Sequence, residues 1–162
     1  MSQNNSSAPS ALGENLAIES AAWRTLLTLL EDEERALVDG EADRLALLNA
    51  SKLTQLNTLG DLARARQAAL LFAGQTPDHA GMADWLVQHG QHEQHLCWQQ
   101  LCEMEQQSQA MNARIGTLID LRLTSTRQAL NVLVQSATRQ GGLYDQAGQA
   151  VSAGNGKPIV AA

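Results

Sequence analysis

The sequence predicts an all-α fold: an elongated up-and-down helical bundle with a long antiparallel hairpin, a long third helix, and one short helix between them. Three observations carry this expectation. The chain holds 25 Leu and 25 Ala against 4 Ile and 6 Val, so helix formers far outnumber β-branched residues. Aromatic residues are only 3% of the chain, which leaves a core of aliphatic side chains. Apolar residues recur at steps of three and four through three long stretches, the spacing of amphipathic helices. A length of 162 residues fits one domain.

Residues 1–11 are small and polar, and a disordered tail is expected there. Leu16, Trp23, Leu30 and Leu37 then recur every seven residues. Leu12, Leu26 and Leu27 widen the stripe, which predicts a helix over Leu12–Val38. Glu19, Arg24, Glu31, Glu34 and Arg35 fall on the opposite, solvent side. Gly40 suits a helix C-terminus and Asp43 the first turn of the next helix, expected over Ala42–Phe72. So short a connection forces the two helices antiparallel. Residues 73–81, with two Gly and one Pro, form the strongest break. A short helix over Met82–Gln88 follows, anchored by Trp85 and Leu86 and ended or bent by Gly90.

The third long helix carries a seam that alternates steps of four and three. It runs through Cys97, Leu101, Met104, Ser108, Met111, Ile115, Leu118, Arg122, Ser125, Ala129 and Val132. Its second half adds Ile119, Leu123, Leu130, Leu133 and Val134, an apolar surplus that something must cover. A mid-helix glycine, Gly116, suits close approach of a neighbouring helix. The bundle domain is expected over residues 12–140, with residues 141–162 a flexible C-terminal tail.

The formal charge of −6 disfavours non-specific nucleic-acid binding, and no apolar run is long enough for membrane insertion. The start of the chain lacks the pattern of a signal peptide. Residues 1–105 carry a net −9 and residues 106–162 a net +3. This asymmetry suits ion pairs within the molecule, or steering of an acidic partner by Arg114, Arg122, Arg127 and Arg139. Phosphate loops and nucleophile elbows are absent, and no enzyme activity or cofactor is expected. The acidic run Glu31–Glu34 splays around one helix and reads as a solvated face. Cys97 and Cys102 sit too far apart around a helix to pair. Trp23, Trp85 and Trp98 read as core anchors, with partial exposure at an interface open for Trp98. One alternative function is a metal-binding bundle using His89, His92 and His95, which would require convergent ligands. Another is a dimeric coiled-coil adaptor joined through the seam.

Three features together resemble a known family. They are Leu27–Glu33 leading to Leu37–Asp43 and a leucine-rich helix with Lys52, then Met111–Ile119 in the third helix, then Tyr144 and Gly148 in a glycine-rich tail. The chain is similar to the FlgN-type flagellar export chaperones, with Asn112, Gly116, Leu118 and Ile119 as the most specific match. It departs from the pattern at Ile115, where the family often has Asn.

The resemblance implies a cytoplasmic chaperone for hook-associated proteins of the FlgK and FlgL type. Such a chaperone binds their C-terminal segment, prevents premature assembly and delivers them to the flagellar type III export gate. A monomer or weak homodimer is expected. The apolar surplus then becomes a client-binding face of Ile119, Leu123, Leu130, Leu133 and Val134, with Arg127 at its rim. Tyr144 is a candidate contact with the gate.

Overall fold

A computed structural model of the protein describes residues 7–141. Four helices follow one another: α1 (Ser7–Asp39), α2 (Ala42–Phe72), α3 (His79–His89) and α4 (His92–Gly141). Among the described residues there is no strand. Helix α1 starts at Ser7, ahead of the expected Leu12, and Pro9 lies in its first turn, where a missing N–H is tolerated. Helix α2 has the bounds its leucine spacing predicts. Helix α3 begins earlier than Met82 because Asp78 caps it, accepting a hydrogen bond from the Gly81 N–H at 2.8 Å. The Thr76 hydroxyl donates to the same carboxylate at 2.6 Å, and these two bonds hold its pKa below the usual aspartate range.

The pairing of side chains fixes the helix directions. Between α1 and α2, Arg44 meets Asp32, Lys52 meets Glu33, Gln55 meets the Ala22 carbonyl, and Arg66 meets Glu19. From Lys52 through Gln55 to Arg66 the α1 partner falls from Glu33 through Ala22 to Glu19, so the two helices are antiparallel. Gly40 reverses the chain between them with φ of 79°, and the Glu41 N–H closes the turn on the Ala36 carbonyl at 3.0 Å. Between α1 and α4, Cys97 donates to the Leu16 carbonyl and Arg114 to Glu34. Here both numbers rise together, so α4 runs parallel to α1. This is the up-and-down order expected from the sequence, with α3 carrying the chain back.

The chain divides into two compact units, one reaching Ile119 and one beginning at Asp120. The first unit has two apolar clusters. One gathers Leu12, Leu16, Leu70, Met82, Trp85, Leu86, Trp98 and Leu101 from all four helices. The other joins Ala22, Leu26, Leu30, Leu37 and Leu59 to Met111 and Ile115. Trp23 packs against both. All three tryptophans thus serve the core, and Trp98 is buried rather than left at an interface.

The solvent side expected of α1 needs correction. Glu19 is 2% exposed and Arg66 8%, and the two form a bidentate pair with bonds of 2.9 and 3.2 Å. The Arg66 guanidinium also lies 4.9 Å from the centre of the Trp98 ring. The acidic run is likewise not a plain solvated face. Glu33 is buried and receives two hydrogen bonds from Lys52, Glu34 binds Arg114, and Asp32 binds Arg35 and Arg44. Part of the acidic hairpin's charge is therefore met by the chain's own bases.

The second unit, described to Gly141, is the C-terminal part of α4. All its side chains from Asp120 to Arg139 are exposed.

Candidate binding face on the last helix

The seam of α4 explains why one helix contains two kinds of surface. Its first half meets neighbours: Leu101, Met104, Ser108, Met111 and Ile115 are buried, and Leu118 is half-buried against the second cluster. Cys97 is half-buried on the same line, its thiol donating to the Leu16 carbonyl. The pattern of fours and threes then continues through Arg122, Ser125, Ala129 and Val132, and every one of these is exposed. The seam outlasts its cover.

The residues expected to bind a client lie in this uncovered stretch. Leu123, Leu130, Leu133 and Val134 are between 49% and 65% exposed, Ile119 is 39% exposed, and Arg127 is exposed beside them. At about 100° per residue, Leu123, Leu130, Leu133 and Val134 fall within roughly 100° of arc, one face of the second unit's helix. Sequence reasoning missed Leu121 altogether and treated Val132 as seam alone. Both are more than 60% exposed and share a second face. For Val132 the signal was the seam itself, which continues beyond Leu118, whereas Leu121 lies off that line.

Of the family-motif residues, Asn112 is exposed, Leu118 half-buried and Ile119 exposed. Gly116 does not serve close helix packing: a Cβ added there would meet nothing within 4 Å. Its absent side chain leaves a gap in the surface instead. Tyr144 lies outside the described residues.

The three histidines do not converge. His89 ends α3 and stacks on Trp85 with ring centres 5.7 Å apart, His92 opens α4, and His95 is exposed one turn later. Among the described residues no group of three or more His, Cys, Asp or Glu side chains is placed to hold a metal ion. A fourth histidine, His79, has its Nδ1 3.7 Å from the Cys102 thiol and its Nε2 3.5 Å from Glu105. Opposite ring nitrogens point to the two groups, so they do not share a centre. Burial raises the Cys102 thiol pKa, which disfavours its thiolate. A cavity of about 230 Å³ adjoins Glu19, Trp23, Arg66 and His79, but its one arginine is already engaged by Glu19.

The electrostatics of the two halves differ as well. Arg114, at the end of the covered half, grips Glu34 at 3.1 Å, and its hydrogen bonds hold the Glu34 carboxyl below the usual glutamate range. Beyond it, residues 121–139 contain Arg122, Arg127 and Arg139 and no Asp or Glu.

These features define an all-α protein whose last helix carries an exposed apolar face with arginines beside it. The family model described as FlgN protein matches residues 8–152, and the chain belongs to the FlgN family. The family comprises non-enzymatic cytoplasmic export chaperones for hook-associated proteins of the flagellum, of the FlgK and FlgL type. No curated protein and no solved structure matches the chain. No described helix is long and apolar enough to cross a membrane.

Proposed function

We propose that the protein holds the C-terminal segment of a hook-associated protein on the apolar face of Leu123, Leu130, Leu133 and Val134, with Ile119 one turn earlier and Arg127 at the rim. The client stays unassembled while bound and is carried to the export gate. The observation that supports this reading is the exposure of that face, at half or more of each late side chain. Contiguous exposed apolar surface of this kind marks interaction sites. An amphipathic client segment would lay its own apolar side on it, as in helix-in-groove recognition. Ordering of the segment on binding lowers affinity per unit area, which suits a complex that must release its cargo.

The test is co-purification. Replacing Leu130→Asp and Val134→Asp together should abolish capture of a FlgK- or FlgL-type protein while the helical circular dichroism stays unchanged. Undiminished capture would refute the site, and loss of the fold would return both residues to the core. Tyr144 belongs to the same proposal as a gate contact. Tyr144→Ala should leave client capture intact and reduce export.

A further inference from the structure

The bare part of α4 is apolar around more of its circumference than one bound helix can cover. At about 100° per residue, Leu123, Leu130, Leu133 and Val134 centre on one face, and Leu121, Ser125, Ala129 and Val132 centre on another, turned about 140° from the first. Together they span about 220°, with Arg122 in the gap between them, against the roughly 100° stripe of a helix packed on one side. The remaining strip, about 140° wide, is polar and holds Thr124, Gln128, Asn131, Gln135 and Thr138. The covered half of the same helix is different: between Cys97 and Leu118 it shows no exposed large apolar side chain. A helix that is apolar on two sides belongs between two neighbours.

We infer that the client engages this stretch as two helices at once, one on each face, with acidic side chains over Arg127 and Arg139. This deepens the function proposed above and rests on it. Charge argues for a foreign, acidic partner. Arg127 borders the first face and Arg139 the second, and residues 121–139 supply no carboxylate of their own. The same stretch of a second copy would set arginine against arginine, which disfavours self-pairing. The acidic hairpin of a second copy is a poorer match, because Glu19, Asp32, Glu33 and Glu34 are already bonded to Arg66, Arg44, Lys52 and Arg114.

The experiment compares two charge-neutral pairs of substitutions in the full chain: Leu130→Gln with Leu133→Gln on the first face, and Leu121→Gln with Val132→Gln on the second. Glutamine keeps helix propensity close to that of leucine, and circular dichroism checks the fold. Affinity is measured by calorimetry against a full-length FlgK-type protein, and stoichiometry by light scattering. Each pair should weaken binding by about tenfold or more in a one-to-one complex, whereas Thr124→Ala with Asn131→Ala on the polar strip should stay within about twofold. Loss confined to the first face would overturn the two-helix mode and leave the proposed function standing, whereas loss confined to the second would overturn both. No loss from either pair would overturn both. Equal loss from the polar-strip pair would overturn the assignment to faces. Self-association that the second-face pair abolishes, with client affinity unchanged, would assign that face to a second copy and overturn the inference.

Discussion

The two halves of α4 present the same pattern to different surroundings. From Cys97 to Leu118 the seam lies on α1 and its neighbours, and the exposed remainder is polar or small. From Asp120 to Arg139 the seam continues, a second apolar face joins it, and nothing described covers either. Periodicity therefore specifies a helix that wants company, while burial depends on whether the chain itself provides it. The covered half is structural because its partners are in the same molecule. The apolar side chains of the bare half are exposed instead.

The difference can be broken most forcefully in the covered unit. Arg66→Met leaves the buried Glu19 carboxyl without its partner, and should cost about 3–5 kcal/mol in urea unfolding followed at 222 nm. A matched pair of truncations sharpens the contrast. Leu101→Ala should cost about 3 kcal/mol, since the side chain is fully buried, whereas Leu130→Ala should change stability by no more than about 0.5 kcal/mol. Equal costs would mean that the late leucines are core after all. Hydrogen exchange should divide the helix in the same place, with amides of residues 121–139 exchanging faster than those of 97–118 and slowing when client is added.

The smallest effect is electrostatic. Arg114 lowers the pKa of Glu34 in the folded state, so its contribution is present above the ordinary glutamate pKa and is lost as pH falls through the lowered value. The stability difference between the wild type and Arg114→Gln should hold steady near neutral pH and vanish in acid.

Much of this was legible in the sequence for a physical reason. The helix class follows from leucine at steps of three and four, and the α1–α2 reversal from Gly40 within a run of acidic residues. The late apolar surplus stood out because Leu130, Leu133 and Val134 add a face to a helix that already had one. Glu19 was misread because its partner, Arg66, lies 47 positions away, and no local pattern links them. Gly116 was misread because a glycine's neighbours cannot be inferred from the glycine. Leu121 does not stand out because the surplus repeats along one face, whereas Leu121 and Val132 lie on a second.

The buried Glu19–Arg66 pair has a consequence for alignment. Helix α2 keeps leucines on several sides, including Leu47, Leu53 and Leu56 in water, so grease alone gives it little reason to prefer one longitudinal setting against α1. A shift by one helical turn would strand a carboxylate in oil and tear the guanidinium from Trp98. The pair acts as a locating peg that sets α2 against α1.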